Sequence, residues 1–300
     1  MRQNYKTGVV RRLDKKGLIK PPGFVAGSVQ YETMMGSVAY GVSSDTSDVD
    51  IYGFCVPPKD IVFPHLAGYI PGFSRQIPKF DQFQQHHIKE DDTEYDIVIY
   101  NIVKYFALCM ENNPNMIDSL FTATNMVLSR SKIADMVRDE RKIFLHKGAW
   151  HKFKGYAYSQ MSKMKIKNPE EGSKRWHIQE KYGYDVKFGY HLVRLLNEVE
   201  QILMTGDIDL MQNNDQLKSI RKGEWTLKEV EDYFVRKEKD LESLYISSKL
   251  PKYPDEDKIK RLLLECLEEF YGDLESCVIS VDKSAETLRQ IRDIIYKANI

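Results

Sequence analysis

Gly36-Ser37-Val38-Ala39-Tyr40-Gly41, followed closely by Ser47-Asp48-Val49-Asp50-Ile51, decides how this chain is read. The residues before it, Val29-Gln30-Tyr31-Glu32-Thr33-Met34-Met35, form a mostly apolar, β-compatible run that Gly36-Ser37 brings to an end. Side chains at i and i+2 of a strand share a face. Asp48 and Asp50 therefore project together, while Val49, Ile51 and Cys55 point the other way, into a core. Two carboxylates side by side repel unless a cation lies between them, and oxygen donors of this kind suit a hard divalent ion. Asp-x-Asp also holds sugar nucleotides through a metal in other enzymes, so the pair alone leaves the reaction open.

The turn narrows it. A strand-to-helix turn of Gly36 and Ser37 turns backbone N–H groups outward, where anions are favoured. Phosphate at the turn and metal at the carboxylates is the minimum equipment for nucleotidyl transfer. A third carboxylate comes from Glu94-Tyr95-Asp96-Ile97-Val98-Ile99-Tyr100, which alternates as a strand. Asp96 is the preferred candidate because it lies closer to the apolar stretch, and Glu94 on the same face is its rival.

With these residues in place, the chain resembles the DNA polymerase beta nucleotidyltransferase superfamily, and within it the branch associated with RNA ligases and RNA repair. Further stretches carry the likeness: Gly53 with Pro57-Pro58, Asn113-Pro114 through Leu120-Phe121, Gly155-Tyr156-Ala157, Gly183-Tyr184 through Leu195-Leu196, and Ile220 to Trp225. Together they span roughly residues 29 to 235. The resemblance implies an α+β protein, with a small mixed sheet in a catalytic domain over residues 1–130 and an all-α domain over 131–300. It implies transfer of a nucleoside monophosphate from an NTP, with two Mg²⁺ or Mn²⁺ ions held by Asp48, Asp50 and Asp96 and the triphosphate touched by Gly36 and Ser37. The acceptor it implies is an RNA 3′ end, tRNA included. A protein hydroxyl, as in antitoxin-type relatives, and a catalytically degenerate binding module are the rival readings. Many relatives carry Arg directly after the Gly-Ser, where this chain has Val38. The missing cation is expected on residues 185–203, which read as one amphipathic helix with Lys187, His191 and Arg194 along a polar stripe. Arg binds phosphate bidentately; His191 reads equally well as a core histidine.

Composition sets the outer limits. The 300 residues carry 44 basic and 44 acidic side chains, so no global charge draws the chain to nucleic acid, and a local patch would have to do so. The candidate patch is residues 147–187, with ten Lys or Arg against four Asp or Glu. Trp150, Phe153, Tyr156, Tyr158, Trp176, Tyr182 and Tyr184 are interleaved there as rings to stack on unpaired bases. Residues 163–172 read as a loop within it. Residues 63–92 read as a long connection, with His86-His87 in a solvated part of it. No apolar run is long enough for a membrane span, and the polar start lacks a signal-peptide core, so a cytoplasmic protein is expected. Cys55, Cys109, Cys266 and Cys277 lack metal-ligand spacing and read as buried thiols.

Overall fold

The computed structural model describes residues 8–43, 47–63, 79–166, 169–272, 291, 294 and 295. Five strands, β1 (Val29–Met35), β2 (Val49–Cys55), β3 (Gln82–Glu90), β4 (Thr93–Asn101) and β5 (Val127–Arg130), form one mixed sheet in the order β3-β4-β2-β1-β5. β2 and β4 run parallel and the other neighbours antiparallel. Ahead of and between the strands lie α1 (Val9–Lys15), α2 (Val25–Ser28), α3 (Gly36–Ala39), α4 (Lys59–Val62), α5 (Ile102–Met110) and α6 (Pro114–Phe121). Beyond β5 the described chain is helical: α7 (Lys132–Asp139), α8 (Ala149–Ile166), α9 (Lys174–Tyr182), α10 (Val186–Thr205), α11 (Asn214–Arg221), α12 (Leu227–Ser247) and α13 (Glu256–Tyr271). The fold is α+β, as expected.

The helices start and stop where their side chains cap the backbone. Asn101 and Asn113 accept from Val103 N and Asn115 N at the starts of α5 and α6, and Pro114 fills a first-turn position that needs no N–H. Asp185 accepts from Lys187 N to open α10, and Gly206, at φ 65°, closes it. Thr226 and Glu229 form a capping box on α12.

Each face of the sheet has its own apolar cover. Ile51 and Cys55 of β2, with Ile97 and Ile99 of β4, pack under Val9, Val10 and Leu13 of α1. The N-terminus of α1 is tied down by buried Glu32, whose carboxylate accepts from the N–H groups of Val9 and Val10 at 2.8 and 2.9 Å. The opposite face, with Tyr31 and Phe54, joins a continuous core that runs through the helices to Leu267. Asp50 alternates with Ile51, so its side chain shares the face of Tyr52 and Phe54, toward the helical body. Arg138 of α7 binds the sheet to α6: its guanidinium donates to Tyr31 Oη at 2.6 Å and to the carbonyls of Leu120 and Thr122 at 3.2 and 2.8 Å.

Three expectations are corrected. Residues 82–90 are strand β3, hairpinned onto β4, so His86 and His87 are not loop residues. The alternation that would have shown the strand is broken by a bulge between Gln85 and Ile88, where His87 has φ 55°. Lys163 to Ile166 are the last turn of α8 rather than part of a loop. Trp150, Phe153 and Tyr184 are core residues, not stacking platforms. Cys55, Cys109 and Cys266 are buried free thiols, whereas Cys277 and residues 64–78 lie outside the described residues.

Candidate active site

The parallel pairing of β2 and β4 sets Asp50 directly opposite Asp96. Asp48 lies just before β2 and is exposed, within electrostatic reach of Asp50. β1 ends beside them: Met35 pairs with Asp50, and the chain then turns into α3 at Gly36. Gly36 has φ 63°, and a Cβ built there would stand 1.9 Å from Asp50 Oδ2. Only glycine lets the turn pass this close to the carboxylate. Asp96 is held from β3. His87 N donates to its Oδ1 at 2.8 Å, and His86 Nδ1 sits 3.0 Å from its Oδ2. The rival carboxylate, Glu94, is engaged with the His87 ring instead.

Burial, then the charges of Asp96 and Asp48, push Asp50 from the ordinary 3.8 up to about 6, while Lys187 pulls the other way. The sign of the stability effect follows. A carboxyl whose folded pKa lies above its unfolded value favours the fold fully below pH 3.8, and that contribution disappears as pH rises through about 6. In EDTA, urea unfolding should therefore show Asp50→Asn more stable than the parent by up to about 3 kcal/mol at pH 7.5. The gap should close near pH 4. A gap of the same size at both pH values would contradict this origin.

A cation between the carboxylates would relieve the same repulsion. Among the described residues, no three His, Cys, Asp or Glu side chains are grouped to enclose an ion by themselves. The donor set fits an ion of the Mg²⁺ type, which takes one or two carboxylates and completes its shell with water and substrate phosphates. Asp50, with Asp48 just before it or Asp96 beside it, offers the carboxylates that would hold it.

Asp48 and Asp50 open on a cavity of about 1120 Å³, bounded by the α3 turn and by α8, α9, α10 and α11. Gly36, Ser37, Asp48, Asp50, Lys187, His191 and Arg194 all line it; Asp96 lies beside Asp50 on β4, outside the lining. The polar stripe of α10 divides into three different environments. Lys187 is exposed and close enough to Asp50 to stabilise its charge. His191 is driven well below its ordinary pKa, first by burial and then by Arg194, Lys187, Arg221 and Arg175, so it stays neutral. Arg194 is committed elsewhere: its Nη1 donates to Asp118 and to both Glu198 oxygens at 2.9 Å, and its guanidinium lies 4.2 Å from the Tyr40 ring centre. Tyr40, the residue that ends α3, donates to Asp118 Oδ2 at 2.8 Å. The cluster thus ties the Gly36–Ser37 turn to α6 and α10.

Other cations line the same cavity: Arg175 of α9, Arg221 of α11, and Lys152 and Lys163 of α8. Arg221 donates to the Val42 carbonyl and lies 5.3 Å from the Tyr190 ring centre. Its sequence signal was the Ile220–Trp225 motif, which gave no role to the arginine. The basic excess of residues 147–187 is partly neutralised by distant acids. Lys152 pairs with Glu111 at 2.8 Å, and Lys154 with Glu238 at 2.8 Å and Glu242 at 3.0 Å.

A model of the RNA repair pathway DNA polymerase beta family matches residues 14–265. The chain belongs to that family. The match extends the resemblance read from motifs in both directions. Among solved structures, the chain is similar to a nucleotidyltransferase-like protein from Exiguobacterium sibiricum, at 12% identity over 94% of this chain and 79% of that one, with a TM-score of 0.29. No curated protein matches the chain in sequence. No helix among the described residues is long and apolar enough to cross a membrane. For a member of this family the carboxylate pair, the Gly36–Ser37 turn and the cation-lined cavity are the residues to be tested for chemistry.

Proposed function

We propose that the protein transfers a nucleoside monophosphate from an NTP to the 3′-hydroxyl of an RNA, tRNA being one such acceptor, and releases pyrophosphate. The observation that carries this reading is the register of Asp50 opposite Asp96, next to the Gly36–Ser37 turn and open to the cavity. Family membership supports RNA as the context.

The residues divide the work. Ser37, Lys187 and Arg221 bind the triphosphate, Lys187 and Arg221 supplying the positive charge that Val38 does not. Asp48, Asp50 and Asp96 are the carboxylates that would hold Mg²⁺ or Mn²⁺, and such an ion would supply charge neutralisation at the phosphates and a more acidic attacking hydroxyl. His87 N and His86 fix the Asp96 carboxylate so that it can take the proton of that hydroxyl. The hydroxyl oxygen then bonds to the α-phosphorus as the bond to the β-phosphate oxygen breaks, and pyrophosphate carries away the electron pair. His191, kept neutral, donates or accepts a hydrogen bond without adding charge. Most of the acceleration comes from positioning and fixed charge. RNA approaches along α8 and α9, where Lys163, Arg175 and the half-exposed ring of Tyr158 lie.

The test is incubation with each α-³²P-labelled NTP, Mg²⁺ or Mn²⁺, and total tRNA. Metal-dependent label on RNA from one preferred nucleotide is the expected result. Label on protein instead of RNA would replace the acceptor, and label on neither would remove the transferase reading.

A further inference from the structure

Gly155 stands in the middle of α8, where glycine destabilises a helix relative to alanine. Two other glycines near the cavity have a structural reason. Gly36 needs its positive φ and its clearance from Asp50. Gly189, inside α10, has the Tyr184 ring 2.8 Å from where its Cβ would be. Gly155 has neither reason: its φ is not positive, and a Cβ there would meet nothing within 4 Å. Its bare side faces the cavity.

The neighbours on that wall follow helical spacing. His151, Gly155, Ser159 and Lys163 recur every four residues and all line the cavity, with Tyr156 and Gln160 beside them. Tyr156 is held in place by a hydrogen bond from Asn113 Nδ2 at 3.0 Å. The wall is therefore low at Gly155 and Ser159, with hydrogen-bonding groups around the low point. The cavity, at about 1120 Å³, exceeds the usual range for a drug-sized ligand, so it has room for much more than three phosphates.

We propose that Gly155 opens a base-binding subsite: the nucleobase of the bound nucleoside triphosphate lies against α8 at Gly155, with Ser159 and Gln160 reading its edge. This rests on the nucleotide reading above. It assigns a ligand to Gly155, Ser159 and Gln160, which have no part in the transfer chemistry above, and it makes α8 the element that chooses among nucleotides. A side chain at 155 would occupy the space of the base.

Calorimetric titration of the full chain, its Gly155→Ala and its Gly155→Leu variants with each of the four Mg-NTPs tests it, with Tm measured on the same samples. The parent is expected to prefer one base. Gly155→Leu should bind that nucleotide at least tenfold more weakly and lose the preference. Gly155→Ala should bind it several-fold more weakly while its Tm is equal or about 1–2 °C higher, because alanine favours the helix. If Gly155→Leu fails to fold, the alanine variant decides. Unchanged affinity in the variants, a parent that binds all four nucleotides alike, an equal loss for all four with the preference intact, or a lowered Tm in Gly155→Ala would each overturn the subsite while leaving nucleotide binding standing. A parent that binds no NTP would overturn the nucleotide reading and the subsite together.

Discussion

Asp50→Ala is expected to lower kcat for nucleotidyl transfer by on the order of 10³-fold or more, about 4 kcal/mol of transition-state stabilisation, while the protein remains folded. The reasoning begins with register. Asp50 faces Asp96 across parallel strands, and the Gly36 turn passes so close that any Cβ there would collide with the carboxylate. A backbone arranged around one carboxylate in this way gains nothing for the fold, since burial and like charge raise the Asp50 pKa to about 6. Removing the side chain relieves that repulsion, so stability should hold or rise as activity falls. This opposition between stability and activity is expected where charge is concentrated for chemistry. Asp96→Ala should show a similar loss. Steady-state rates at saturating NTP and RNA, with urea unfolding of the same samples, check both halves. A variant that keeps activity within tenfold of the parent would remove Asp50 from the chemistry.

Arg194→Met is expected to destabilise the protein by about 3–5 kcal/mol, the largest single-residue effect on stability anticipated here. Arg194 is buried between Asp118 and Glu198, both of which are also buried, and it is stacked on Tyr40. Burial raises the pKa of both acids, and Glu198 is raised further by the charge of Asp118. One guanidinium facing two carboxyls is best satisfied with one of them protonated, so the cluster is close to neutral while the arginine is present. Without it, Asp118 keeps a buried charge, or a proton it must take up at a cost, and Asp118 Oδ1 already lacks a partner. The triple variant Arg194→Met, Asp118→Asn, Glu198→Gln should recover most of the loss, because it removes the orphaned charges along with their partner. Equilibrium urea unfolding of the three proteins distinguishes the cases. If the single variant costs less than about 1 kcal/mol, or if the triple variant is no better than the single, charge burial is not what holds this cluster.

Much of the architecture was legible in the sequence because the signals are local. The β1 run, its Gly36–Ser37 stop, the alternation around Asp50 and the amphipathic period of residues 185–203 each depend on neighbours within one or two turns of chain. β3 escaped notice because its bulge interrupts the period, and its Gln and His residues are poor strand signals. The aromatic and basic residues of α8 were misread for a different reason: composition cannot say which side of a helix meets the core. Trp150 and Phe153 went inward, and Lys152 and Lys154 found acids on other helices.

By itself the sequence determined the α+β class, the family, and the pair of aspartates behind a Gly-Ser turn, since these rest on the order and periodicity of adjacent residues. The tertiary structure alone decided what each charged group faces. Asp118 meets Arg194 from 76 residues away, His86 comes to Asp96 only through the β3–β4 hairpin, and His191 is neutral only because the helices around it exclude water and add positive charge. Charge interactions depend on distance and burial in three dimensions. Neither quantity is encoded in spacing along the chain.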